Sequence, residues 1–438
     1  MPRQNPLACD AARVFNAAMK PKILTTLPGY SAALFRADLM AGITVAMVAL
    51  PLSIAIAIAS GADPATGLIT AIVGGFLISA LGGSRVQIGG PTGAFIVVVY
   101  GVIAEHGYDG LVIATLMSGV ILVIAGYFKA GSLVKHIPEA VINGFTIGIA
   151  IIIATSQLRD LFGLGISDLP ADFLPKIAAL WEARDTLNPR AIAIGAGTLV
   201  IIVVLRRLAP RFPGLIVAMA LCSASVAILN LPVETLQSRF GALPNTLPMP
   251  QLPTLSFARM IDLLPSALVI AFLAGVEALL SAKVADRMIG GNTRPNAEVI
   301  ANGAANIGSA LFGGLPATGA IARTATNVHA GGRTPVAGVV HALVILVVML
   351  LAAPLAGYLA MPALAGLLLI TAWNMSEPQH WKRHLAARRS DRVLLLITLV
   401  LTVLTDLTLA IGVGVALGLA MRLRRRKVPE AEWHDPDR

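Results

Sequence analysis

Two stretches of the chain, GGPTGAF at 89–95 and GGLPATGAI at 313–321, each place a Gly-Gly, a Pro and a Thr-Gly-Ala ahead of an apolar run. Small residues let an oxyanion approach backbone N–H groups, and Thr hydroxyls add hydrogen bonds. Thr92, Gly93 and Ala94, with Thr318, Gly319 and Ala320, are therefore candidate anion-binding residues. Phe95 and Ile321 are candidates for an apolar rim, with ordinary packing as the equal alternative. Arg323 follows within about one turn, flanked by Ile321, Ala322 and Ala325, in apolar surroundings. A charge at membrane depth costs at least about 2.5–3.5 kcal/mol, so it needs a partner or a task. Attraction of an anion is one task; snorkelling, or pairing with Glu277 for packing, is the other explanation. Glu277 and Ser281 are four residues apart and share one helix face. Glu277, the other charge in an apolar run, likewise needs a partner or a task.

The elements that must position these residues are membrane spans. Of 438 residues, 56% are hydrophobic and 13% charged, against roughly 25% charged in soluble domains; mean hydropathy is +0.81. Apolar segments are expected near 38–59, 65–81, 91–104, 111–128, 138–158, 190–207 and 212–230. A second set is expected near 263–283, 297–312, 319–330, 334–353, 362–375, 392–406 and 407–423. The first strongly apolar segment is of spanning length, unlike a cleavable signal. The net charge of +10 is distributed in short interspan clusters, such as Arg206 and Arg207, Lys382 and Arg383, and MRLRRRK near the end. About 26 of the 33 Lys and Arg fall on one face of this arrangement, a positive-inside bias that argues for topology and against a nucleic-acid partner. The connection 171–185 reads as an interfacial amphipathic helix. Asn302 and Asn306, four apart, are expected to make interhelical hydrogen bonds. Cys9, Cys222, His329 and His341 have no ligand spacing around them, so no metal or cofactor is expected. No nucleophile elbow or phosphate loop points to an enzyme.

Seven and seven spans make an odd number per half, which forces the halves to insert with opposite orientation. Thr92 and Thr318 are 226 residues apart; the same offset carries Asp38 to Leu264 and Leu111 to Ala337, both at or inside spans of the second set. The third span, of about 14 residues, gives about 21 Å of helix against a hydrocarbon core of roughly 30 Å. The tenth is shorter. The residues before each, QIGG and GGLPA, are therefore expected as extended backbone at membrane depth, where only burial in protein or a polar cavity tolerates it. Two half-helices, spans 3 and 10, would then aim their N-termini at a shared anion.

The block ALPLSIAIAIASGADPATGLITAIVGGFLISALGGSRVQIGGPTGAFIVVV resembles the sulfate permease (SulP) family of anion transporters. So do GVEALLSAKVADRMIGG, ANGAANIGSALFGGLPATGAIARTATNVHAGGRTPVAG, IPEAVINGFTIGIAI and ITAWNMSE, and the resemblance runs from about residue 36 to 424. It implies an all-α polytopic fold of 14 segments as 7+7 inverted repeats. A core of spans 1–4 (38–128) and 8–11 (263–353) would move against a gate of spans 5–7 (129–230) and 12–14 (354–424). Segment 1–37 and the basic tail 425–438 would be cytoplasmic. The family commonly carries a STAS domain beyond the last span, and either its natural absence or its removal fits the end of this chain. The family has a basic residue at the motif position of Arg323. In its sodium-coupled bicarbonate members an Asp and a Thr that help bind the ion stand at the places of Glu277 and Ser281, and a hydroxyl at that of Ile321, so the resemblance makes Glu277 and Ser281 the candidate coupling-ion residues. The departures here weaken sodium and favour a proton as the co-transported ion.

The function expected is secondary active transport of a small anion, a sulfate-like oxyanion or a dicarboxylate, by proton symport and an elevator-type motion. Sodium-coupled bicarbonate symport and a passive channel or exchanger are the alternatives. The expected partners are the anion, membrane lipid and a second copy of the chain, since members commonly pair. The expected location is the bacterial inner membrane, multi-pass, with both termini cytoplasmic.

Overall fold

The computed structural model describes residues 19–129, 131, 139–166, 169–209, 214–405 and seven residues between 412 and 420. The expected tail 425–438, residues 1–18 of the N-terminal segment and most of the fourteenth span lie outside these. Helix α1, Ala32–Ala59, starts at Ser31, whose hydroxyl accepts the Leu34 N–H at 3.2 Å, a cap that typically contributes about 1 kcal/mol. Helix α2, Pro64–Leu81, starts at Asp63 with Pro64 in its first turn. A π-helical stretch, Thr70–Gly74, interrupts α2. There the Thr70 hydroxyl accepts the Leu315 N–H at 2.6 Å and donates to the Thr66 carbonyl at 2.6 Å. The irregular turn thus grips the backbone that leads into the second Thr-Gly-Ala motif.

The chain then runs non-helically to strand β1, Gly89–Gly90. One 3-10 turn, Gly93–Phe95, opens helix α3, Ile96–Tyr127. Gly107, at φ 71° and ψ 178°, breaks α3 in two, so the expected third and fourth spans meet at a single residue. Helix α4 is Glu139–Phe162, α5 Phe173–Glu182, α6 Pro189–Leu208, α7 Gly214–Ile228 and α8 Leu236–Phe240. The second half of the chain has α9, Phe257–Ile289, ended by a left-handed Gly290, and α10, Pro295–Leu311. Strand β2, Thr318–Gly319, precedes α11, Ile321–His329, and α12, Val336–Ala356. Helices α13, Met361–Met375, α14, Trp381–Ala386, and α15, Arg389–Leu404, follow.

Among the described residues seven helical segments are long and apolar enough to cross a membrane: α1, α2, Gly93–Tyr127, α4, α6, α9 and α12. The protein is a mostly helical, multi-pass membrane protein. Several expected spans are shorter helices, and Gly93–Tyr127 comprises the expected third and fourth spans, separated by the kink at Gly107. The half-buried pattern suits lipid: α12 keeps Ala337, Ile345 and Met349 inside while Val347 and Leu351 remain exposed.

Candidate functional site

The two motifs meet. β1 and β2 pair antiparallel, with Gly89 opposite Gly319 and Gly90 opposite Thr318, and the Ala320 N–H extends the pairing to the Ile88 carbonyl at 2.8 Å. This two-residue ladder satisfies backbone that would otherwise lie unpaired at membrane depth. The chain enters α3 and α11 from opposite ends of this short ladder. The first N–H groups of each helix have no intrahelical acceptor, and each N-terminus carries a partial positive charge.

Helix α9 holds both starts. The Thr92 hydroxyl donates to Glu277 Oε2 at 2.7 Å, and the Thr318 hydroxyl donates to the Ala274 carbonyl at 2.8 Å. One turn further, Ser281 Oγ lies 3.1 Å from Thr324 Oγ1, which also accepts the Ile88 N–H at 3.0 Å. The shared face expected for Glu277 and Ser281 is thus used twice, once for each short helix. From the other side Asn306 brackets Ala317, its amide donating to the carbonyl at 2.8 Å and its oxygen accepting the N–H at 3.1 Å. The companion Asn302 instead donates to the Glu298 carbonyl of its own helix.

The remaining candidates divide. Ala94 and Glu277 line a cleft of about 30 Å³ between α9 and Phe145, Thr146 and Thr398 of α4 and α15. Such a space holds a water molecule, not a tetrahedral oxyanion. Gly93 presses on the Met375 sulfur of α13, and a Cβ there would sit 2.9 Å from it. Phe95 is buried in the main hydrophobic core and does not line the cleft. Ile321 packs with Val276, Leu280 and Ile142. Both make apolar packing contacts here. At Gly319 a Cβ would fall 1.7 Å from Gln87 Nε2, so only glycine fits.

Of the explanations open for Arg323, pairing with Glu277 fails. Arg323 is 2% exposed, yet its guanidinium does not pair with Glu277, and no carboxylate among the described residues lies within 4 Å of it. Its Nη2 donates to the Ser53 hydroxyl of α1 at 3.1 Å, while Nε and Nη1 have no hydrogen-bond partner. Nη1 sits against Gly90, where a Cβ would meet it at 2.4 Å. The side chain projects behind β1 because it is the third residue of α11 and faces α1. Ser53, Thr324 and Gln87 escaped the sequence reading; each is one polar residue in an apolar or Thr-rich run, without a spacing signal.

The sulfate permease family matches residues 35–398. The chain is 44% identical over 381 residues to "Putative sulfate transporter YvdB" of Bacillus subtilis, covering 86% of this chain and 72% of the relative. It is 31% identical over 382 residues to the bicarbonate transporter BicA of a Picosynechococcus species, covering 85% and 67%. The solved transmembrane domain of a cyanobacterial BicA superposes with a TM-score of 0.79 at 29% identity, covering 87% of this chain and 98% of that one. SLC26A9 shares the fold at a TM-score of 0.84 and 17% identity, over 97% and 71% of the two chains. These relatives are named as transporters, not enzymes, and with the family matched over most of its length this chain belongs to the sulfate permease family.

Proposed function

We propose that this protein is a secondary active transporter of small anions, taking up a sulfate-like oxyanion or a dicarboxylate together with protons. The observation that carries the reading is the β1–β2 pairing, which joins the two segments leading into α3 and α11, with Thr92 of the first hydrogen-bonded to Glu277. Thr92, Gly93, Ala94, Thr318, Gly319 and Ala320 form the substrate cradle, Arg323 supplies long-range attraction from behind β1, and Glu277 with Ser281 carries the coupling ion. The internal symmetry of the two motifs supports 14 spans as 7+7 inverted repeats, the last outside the described residues. The cleft beside Glu277 is too small for the substrate, which fits an elevator motion: 38–128 and 263–353 slide against 129–230 and 354–424 to open it. Both termini are cytoplasmic in this reading, and the membrane is the bacterial inner membrane.

Sodium-coupled bicarbonate symport is the second reading, favoured by the similarity to a relative named for bicarbonate. Labelled sulfate, succinate and bicarbonate, presented to proteoliposomes under imposed pH, sodium and voltage gradients, separate the two. Accumulation of sulfate or succinate driven by an inward proton gradient supports proton symport. Bicarbonate uptake that requires sodium and ignores pH establishes the second reading. Currents reversing near the anion's Nernst potential, without proton movement, establish a passive pathway.

A further inference from the structure

Helix α5 is built inside out. Its apolar residues Leu174, Ile177 and Trp181 are 65%, 44% and 68% exposed, while Lys176 is 4% exposed and is the buried residue of the helix. Apolar residues facing outward suit a helix lying in the membrane interface. A lysine facing inward does not follow from that, because lysines are almost never buried unless paired. No carboxylate among the described residues lies within 4 Å of Lys176. Its ammonium instead stands 5.5 Å from the centroid of the Tyr100 ring, a cation–π distance. The Tyr100 hydroxyl donates to the Leu169 carbonyl at 2.6 Å, which fixes the ring.

Lys176 lines a cavity of about 1160 Å³ that also reaches Ile96, Val97 and Tyr100 on the first short helix. Tyr100 is eight residues beyond Thr92, about 12 Å along the helix. Other titratable groups face this cavity from the elements packed around it: Asp172 before α5, Glu105 and His106 on α3, Arg159 and Asp160 on α4, Arg239 on α8, and Asp262 on α9, while α1 and α15 contribute none. Most are matched. Arg239 binds Asp160 at 2.7 Å and also Glu234, Arg159 lies 3.9 Å from Asp160, and His106 lies 3.7 Å from Glu105. Asp172 and Asp262 are exposed at the rim, where solvent and salt screen them. Among the described residues no carboxylate lies within 4 Å of the buried Lys176, and Asp172, the acid that acts on its charge, stands at the exposed rim.

We infer that this vestibule holds an outer anion-binding station, separate from the paired motifs, in which Lys176 over Tyr100 captures a small oxyanion before it moves inward. The inference rests on the anion-transport reading for its role in transport, while the binding itself stands on the cavity and its lysine. Burial lowers the pKa of Lys176 below 10.5, with Asp172 acting in the opposite direction. The station therefore loses its charge, and its hold on the anion, at a lower pH than an exposed lysine would, whereas an arginine in its place keeps it.

Two measurements test this. In detergent-solubilised protein, acetylation of Lys176 by an activated ester is followed by mass spectrometry while sodium sulfate is titrated. Ionic strength is held constant with a bulky sulfonate. Saturable, severalfold protection is expected, and it should persist in Arg323→Ala; no protection, or protection lost with Arg323, overturns the station. In proteoliposomes, Lys176→Ala should raise KM for labelled sulfate by roughly 3–10-fold at unchanged kcat, with the difference shrinking at high salt. Lys176→Arg should restore KM and abolish its rise at alkaline pH. The change should appear only when sulfate is offered to the face carrying α5. Equal KM values, or equal effects from both faces, leave Lys176 with a packing role and refute the proposal. If the wild-type protein moves no sulfate, the transport reading fails for that anion, and the protection measurement alone decides the station.

Discussion

Thr92 and Glu277, 185 residues apart in sequence, share a hydrogen bond of 2.7 Å in which the hydroxyl donates to the carboxylate. That bond ties the start of the first short helix to α9, and Ser281 ties the second short helix to the same face through Thr324. One helix therefore touches both halves of the proposed cradle. A change in the charge of Glu277 changes the hydrogen bonding of Thr92 directly, with no intermediate residue.

Coupling should run through that contact. An inside-negative potential opposes anion entry by about 2.3 kcal/mol per charge per 100 mV, roughly 4.6 for a dianion. Accumulation therefore needs accompanying cations or exchange. Glu277→Gln keeps an acceptor for Thr92 and mimics the protonated carboxyl. It should retain sulfate binding and lose accumulation driven by an inward proton gradient. Continued pH-driven concentration by this variant would show that the proton travels elsewhere.

The β1–β2 crossing should be intolerant of a single methyl group. In Gly319→Ala the new Cβ falls on the Gln87 amide, and overpacking of this kind costs about 1–3 kcal/mol. The variant should lose uptake and melt lower in detergent. Gln87→Ala removes the obstructing amide, whose own atoms make no hydrogen bond. The double variant should recover most of the lost stability, a coupling that a double-mutant cycle measures. Additive losses would place the clash elsewhere.

Arg323 should act on the anion across β1. Among the described residues its Nε and Nη1 have no hydrogen-bond partner and no carboxylate lies within 4 Å, which leaves its charge to attract a substrate. Arg323→Ala should weaken sulfate binding by about 10–150-fold, the equivalent of 1.5–3 kcal/mol for an interaction with a charged group. Arg323→Lys should recover part of this, because Lys lacks the planar fork. Ser53→Ala removes one neutral acceptor and should cost less than tenfold. Unchanged affinity in a folded Arg323→Ala protein would remove Arg323 from the site.

The sequence reading reached what local physics controls. Gly-Gly and Pro ahead of runs too short to span the bilayer implied extended backbone; β1 lies within QIGG, while β2, Thr318–Gly319, lies just past GGLPA, and the helix there starts at Ile321 rather than Gly319. The i, i+4 spacing of Glu277 and Ser281 implied one shared face, and both do face the paired motifs. Direction within the packed bundle was not legible. Arg323 is three residues into a nine-residue helix, and at 100° per residue its side chain points to α1, away from Glu277. Lys176 lies in the connection 171–185, which reads in sequence only as an interfacial amphipathic helix. Only the fold of 159–189 back over Tyr100 buries it. Ser53 carries no pattern at all.

The last expectation concerns the number of crossings. Seven long helices alone would put Glu182 and Asn245 on opposite faces, because only α6 would cross between them. In the fourteen-span arrangement α7 also crosses, returning the chain to the same face. Two contacts support the return. Arg239 of α8 binds Asp160 at the end of α4, and the Asn188 amide donates to the Pro232 carbonyl at 2.9 Å. From Asn245 to Lys382 the fourteen-span arrangement makes five crossings, an odd number, and the long helices alone make two. Lys382, with Arg383, Arg388, Arg389 and Arg392 close by, belongs to a basic cluster expected on the cytoplasmic face. Single cysteines at these three exposed positions, in a cysteine-free background, can be probed with an impermeant maleimide on intact cells. Glu182→Cys and Asn245→Cys should label from outside, and Lys382→Cys only after permeabilisation. Labelling of Asn245→Cys and Lys382→Cys from one face, with Glu182→Cys on the other, would refute the inverted-repeat topology.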